Sequence, residues 1–129
     1  MDFTTKILLV FAGGGVGSVC RYLVSLATPH KGEWLGLATF VVNSLGCVII
    51  GLLAGFLVNS SWSYEHKTAL TLLTMTGFCG GFSTFSEFTF DSVRYFEEGQ
   101  VFAWAIFACA TVFTGLFGCA LGYWLGQKI

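Results

Sequence analysis

With 129 residues, 55% hydrophobic and only 10% charged, the chain has a mean hydropathy of +0.78 and is too apolar for a soluble globular domain. A formal net charge of −1 without any basic patch excludes nucleic acid as a partner, because nothing is present to neutralise phosphates. A membrane span needs about 20 apolar residues, so the length predicts a single four-span membrane domain over residues 1–129 and no soluble domain.

The first predicted span runs from about Lys6 to Ala27 and ends at Thr28-Pro29-His30-Lys31-Gly32-Glu33, which holds the only proline. It is span-length and precedes three more apolar runs, so it reads as a membrane helix and not a cleavable leader. Its run Gly13-Gly14-Gly15-Val16-Gly17 lacks the last glycine, the preceding strand and the following acid of a dinucleotide fingerprint. Close helix packing is the better reading. The second span runs from about Trp34 to Val58, and a polar cluster from Asn59 to Lys67 closes it. The third runs from about Thr68 to Tyr95, and the fourth from about Val101 to Leu125. Trp34, Trp62, Trp104 and Trp124 fall near span ends, where amphipathic rings favour the interface.

Small residues four apart recur at Gly13/Gly17, Gly51/Gly55, Gly77/Gly81, Gly118/Gly122 and Gly122/Gly126. In lipid such pairs let helices approach closely, here including those of a second copy. Cys20, Cys47, Cys79, Cys109 and Cys119 all lie within spans without metal-ligand spacing and read as small packing residues. Four spans would place Lys6, Lys67 and Lys128 on one side, and Arg21, Lys31 and Arg94 on the other. Such a tie gives the positive-inside rule no direction, which is compatible with insertion both ways and an antiparallel homodimer.

The third span carries the run Gly77-Phe78-Cys79-Gly80-Gly81-Phe82-Ser83-Thr84-Phe85-Ser86-Glu87-Phe88-Thr89-Phe90-Asp91. Its glycines weaken helix, so the span is predicted to be broken from Gly77 to Thr84. Broken backbone at membrane depth is tolerated only inside protein or along an aqueous path. Phe78, Phe82, Phe85 and Phe88 recur at helical spacing, and Glu87 and Asp91 fall four apart.

Arg21, Asn43, Glu87 and Asp91 carry polarity that lipid penalises, so each is a functional candidate. Arg21 lies near a span end, where snorkelling is an equal reading. The Asn43 amide either cross-links helices or presents its NH2 group to an anion. Glu87 and Asp91 suit a cation, a proton or a pore mouth. Thr111 and Thr114 either form a hydroxyl track or bond back to their own helix. His30 and His66 accompany no nucleophile pattern, and no enzyme is predicted.

The stretch from Gly77 to Phe88, with Arg21 after a glycine-rich first span and Asn43 in a Thr39-x-x-x-Asn43 pattern, resembles the Fluc/CrcB family of fluoride channels. The resemblance covers all four spans. Glu87 departs from it, standing where the family usually has threonine, and Phe107 stands where a tyrosine is often found. It implies an all-α, dual-topology homodimer in the bacterial inner membrane, with two antiparallel pores passively exporting fluoride from the cytoplasm. It further implies that Phe85 and Phe88 form an aromatic box, that Asn43 is the pore amide, and that Ser86, Thr111 and Asp91 line the pore or its polar track. Arg21 is then structural, and carbonyls of Gly80 and Ser83 hold a central sodium ion shared by both copies. The chemistry is coherent: neutral donors and the positive edges of phenylalanine rings can replace water around a small anion without trapping it. Interrupted-helix carbonyls suit a cation. Two other classes fit less well: a dual-topology proton-coupled drug antiporter using Glu87 or Asp91, and a non-transporting assembly subunit.

Overall fold

The computed structural model describes residues 1–28 and 35–129, and the described residues contain helix and no strand. The loop residues Pro29, His30 and Lys31 and the interface tryptophan Trp34 lie outside the described residues. Helix α1 spans Phe3–Ala27, begun by Asp2, whose carboxylate accepts from the Thr5 N–H at 3.2 Å and the Thr5 hydroxyl at 2.6 Å. Gly36, at φ +78°, turns the chain into α2, Leu37–Asn59. Helix α3, Tyr64–Leu70, is capped by Ser63 and widens into a π-helical segment, Thr71–Cys79. A last turn, α4 (Gly80–Phe82), precedes α5 (Phe85–Glu97); Gly99 at φ +69° then leads into α6, Val101–Gly126.

At 25, 23 and 26 residues, α1, α2 and α6 are each long and apolar enough to cross a membrane. Phenylalanines 11 and 117 stand 78% and 71% exposed on their outer faces, as lipid contact requires. The remaining passage, 64–97, is one bent composite helix. The Met1 amine pairs with Glu65 at 2.7 Å, and the Asn59 amide donates to the Gln127 carbonyl at 2.6 Å. Both ends of the chain and the α2–α3 junction therefore gather at one end of the bundle. His66, in the polar cluster expected to join two spans, sits exposed in the first turn of α3.

The break is narrower than its glycines suggested. Gly80 keeps right-handed helical geometry (φ −63°, ψ −34°), and only Ser83 (ψ 160°) and Thr84 (ψ 122°) are extended. The glycines serve close approach. The helices pack as two pairs, α1 on the π segment and α4, and α2 on α6. A side chain at Gly13 or Gly17 would strike the carbonyl of Leu73 or Phe78, and one at Gly81 the carbonyl of Gly14. In the second pair, Gly51 and Gly55 lie against the carbonyls of Cys119 and Tyr123, while Gly122 and Gly126 lie against those of Val48 and Leu52. Backbones in contact maximise dispersion where lipid removes any hydrophobic drive. These stripes are therefore filled within one chain and give no support for a second copy.

One expected outcome follows for Gly81. Gly81→Ala places a methyl group against the Gly14 backbone, which has no rotamer to yield. The strain, about 1–3 kcal/mol, should lower the yield and thermal midpoint of detergent-solubilised protein on size-exclusion chromatography. Unchanged yield and midpoint would refute the tight α1 crossing.

Candidate functional site

The two extended residues leave backbone groups that the helix cannot satisfy, and the neighbouring elements supply partners. Thr84 donates its N–H to Asn43 Oδ1 at 2.7 Å, and its carbonyl accepts from Asn43 Nδ2 at 3.0 Å. One amide from α2 thus closes both sides of the gap, leaving the second Nδ2 hydrogen without a partner among the described residues. Ser83 directs both its N–H (3.0 Å) and its hydroxyl (2.8 Å) to the Cys79 carbonyl. Helix α5 restarts because the Thr84 oxygen accepts from the Glu87 N–H at 3.2 Å, one half of a capping box. The Ser86 hydroxyl, exposed, lies 3.1 Å from that of Thr84.

On one side of the break lies an open groove of about 490 Å³ between α2, α5 and α6, lined by Asn43, Ser83, Thr84, Phe85, Phe88 and Thr111 among others. Its aromatic wall is Phe85 and Phe88, and their stacking continues behind the groove into a second cavity lined by Phe107 and Tyr95. Phe85 and Phe88 have centroids 5.9 Å apart, Phe88 and Phe107 5.3 Å, and Phe107 and Tyr95 5.5 Å. The Tyr95 hydroxyl donates to the Leu35 carbonyl and anchors the buried end of this ring series. Thr111 donates to the Phe107 carbonyl of its own helix at 2.7 Å, so its hydrogen is already engaged. Thr114 does the same toward Ala110 at 2.7 Å and lies 2.9 Å from the Ser44 hydroxyl.

Asp91 does not join the groove. It is buried on another face of α5, where the Thr39 hydroxyl donates to Oδ2 at 2.5 Å and Arg94 approaches to 4.0 Å. With Glu87, Arg94 and Ser25 it lines a separate polar cleft of about 230 Å³. Arg21 reaches the break from α1, with Nε donating to the Gly81 carbonyl at 3.1 Å and Nη1 lying 3.6 Å from Glu87. It is therefore engaged with protein and does not simply snorkel. Gly80 is exposed and open around its α-carbon. Among the described residues no donor reaches the carbonyls of Gly80, Phe82 or Ser83.

Sequence reasoning names Thr84 only as the end of the break and Thr39 only as part of the Thr39-x-x-x-Asn43 pattern, and gives neither a role at the site. The pattern Thr84-x-x-Glu87 was a capping signal in plain view, and Thr39 lies one turn before Asn43 on the same face of α2. Tyr95 carried no comparable signal.

Three apolar helices beside a bent one, whose gap is clamped by a side chain and opens on an aromatic groove, define a multi-pass membrane protein built around an interrupted helix. The family model described as "CrcB-like protein, Camphor Resistance (CrcB)" matches residues 8–123. The chain is 37% identical over 123 residues to the fluoride-specific ion channel FluC of Azobacteroides pseudotrichonymphae genomovar. CFP2, covering 95% of this chain and 96% of that one. It is 39% identical over 124 residues to the FluC of Gloeothece citriformis, covering 95% and 98%. With the FluC of Phocaeicola vulgatus it shares 35% identity over 126 residues, again covering 95% and 98%. The chain belongs to the CrcB family.

Proposed function

We propose that this chain is a fluoride-selective channel that lets the anion leave the cytoplasm passively across the bacterial inner membrane and so relieves fluoride toxicity. The observation that carries the reading is the convergence of Asn43, Phe85, Phe88 and Thr111 on one groove at the break, in a chain whose relatives are named fluoride-specific channels. The free hydrogen of the Asn43 amide and the ring edges of Phe85 and Phe88 supply weak positive contacts. Asn43 keeps the gap closed while the rings face the ion, and among the described residues no fixed cation lines the groove to hold fluoride too long. Residues 64–97 make the fourth span, and the working unit is a dual-topology homodimer with two antiparallel pores. Arg21 is structural in this scheme. Asp91 and Ser86 belong to the polar surround of the pore and not to its aromatic wall.

A structural sodium ion shared by the two copies fits the unpartnered carbonyls of Gly80 and Ser83, which are hard oxygen donors suited to a hard cation. Bound there, it would supply a fixed positive charge to the carbonyls of Gly80 and Ser83. Ser83→Ala keeps the carbonyl and loses only a hydroxyl that duplicates the Ser83 N–H on Cys79. Its flux should stay close to the parent's, since the Ser83 N–H still holds the Cys79 carbonyl when the hydroxyl is gone. Replacing sodium throughout by a bulky organic cation should lower flux slowly. A severe Ser83→Ala defect together with indifference to sodium would point instead to a hydroxyl acting on the permeating ion.

An antiporter would need a carboxylate free to exchange a proton for substrate, whereas Glu87 faces Arg21 and Asp91 faces Thr39 and Arg94. The deciding experiment is reconstitution in liposomes with efflux recorded by a fluoride electrode and chloride as control. Rapid fluoride efflux without chloride efflux supports the channel; no fluoride efflux, or proton-driven export of a cationic dye, refutes it.

A further inference from the structure

Glu87 stands where the broken helix departs from the sequence pattern it resembles, and it meets α1 there. Arg21 crosses from α1 with two contacts: Nε donates to the Gly81 carbonyl, 3.1 Å, in the half before the gap, and Nη1 lies 3.6 Å from Glu87 Oε1 in the half after it. The guanidinium thus spans Ser83 and Thr84, the two residues with extended backbone. Nε makes a hydrogen bond, whereas Nη1 and Glu87 form an ion pair that acts through charge. Glu87 is also fixed at its backbone by Thr84, so the carboxylate is attached to the first turn of α5 and not to a loose end. In sequence it lies between Phe85 and Phe88, and that same first turn carries both rings into the groove. Neither Arg21 nor Glu87 lines the groove itself.

We propose that the Arg21–Glu87 pair is a splint across the gap, setting the angle between its two halves and so the placement of Phe85 and Phe88. Glu87 is a positioning residue that never touches the ion. The capping box leaves its carboxylate free for this task, because Asn43 already occupies the Thr84 N–H that a capping glutamate would take. The pair joins three elements at the site where a small rotation moves the rings most. This inference rests on the fluoride-channel reading given above.

The test compares the full-length parent, Glu87→Ala, Arg21→Ala, the double variant and Glu87→Gln, each reconstituted at equal protein from monodisperse material. A parent that passes no fluoride ends the channel reading itself, whatever the variants do. With a conducting parent, Glu87→Ala should lose flux about tenfold or more, as small misplacements of contacting groups do, while monodisperse yield holds. Glu87→Gln keeps the side-chain shape but removes the charge on which a 3.6 Å ion pair depends, so it should recover little of that loss. The double variant should be no worse than the poorer single one, because both remove the same tie. Parental flux in Glu87→Ala, or single losses that multiply in the double variant, would overturn the splint. So would a glutamine that conducts like the parent, which assigns the effect to side-chain packing and not to the ion pair, or flux lost only in proportion to folded protein.

Discussion

Asn43→Ala is expected to abolish fluoride efflux almost completely, the largest effect of any single substitution at the site. The change strips two partners at once, leaving the Thr84 N–H and carbonyl unpaired in a low-dielectric interior. Each buried group left unsatisfied costs about 1–3 kcal/mol, so the gap relaxes toward another geometry even where the protein still inserts. The same change removes the amide hydrogen offered to the groove. Asn43→Asp is no milder: a carboxylate accepts from the Thr84 N–H but cannot donate to its carbonyl, and it sets an anion beside the path. Fluoride-electrode efflux from proteoliposomes, read beside size-exclusion profiles, measures both consequences. Near-parental efflux in Asn43→Ala would show that neither the clamp nor the donor matters.

Phe85→Ala and Phe88→Ala should each lower fluoride flux far more than they lower the yield of assembled protein, by about tenfold or more if ring edges contact the ion. The two should separate in stability. Phe85 is 76% exposed and stacks only on Phe88, so its removal opens no cavity. Phe88 is half-buried between Phe85 and Phe107, and its truncation should lower the thermal midpoint as well. Phe85→Ala is therefore the cleaner probe. Efflux unchanged in both variants would remove the aromatic wall from the mechanism.

Much of this molecule was legible in its sequence because lipid imposes simple rules. Apolar runs of span length located α1, α2 and α6 to within a few residues, and the glycine and hydroxyl run marked where a helix could not continue unbroken. The aromatic spacing from Phe85 to Phe88 was readable for the same reason, since helical periodicity is local. Glycine, however, has two uses that look alike in a sequence, special dihedrals and close approach. Only the neighbouring backbones of α1 and α6 decided that Gly77, Gly81, Gly51 and Gly55 serve approach, while Ser83 and Thr84 carry the break. Tertiary structure likewise decided the partners of the buried polar groups. Thr39 and Asp91 are 52 residues apart, and Arg21 and the Gly81 carbonyl 60, separations at which no local period operates. The sequence by itself determined that Asn43, Arg21, Glu87 and Asp91 must each face protein or water and not lipid, because hydrocarbon offers no hydrogen bonds. Which of them meets which, and that Asn43 and Asp91 serve different faces, depended on how α1 and α2 dock on the bent helix.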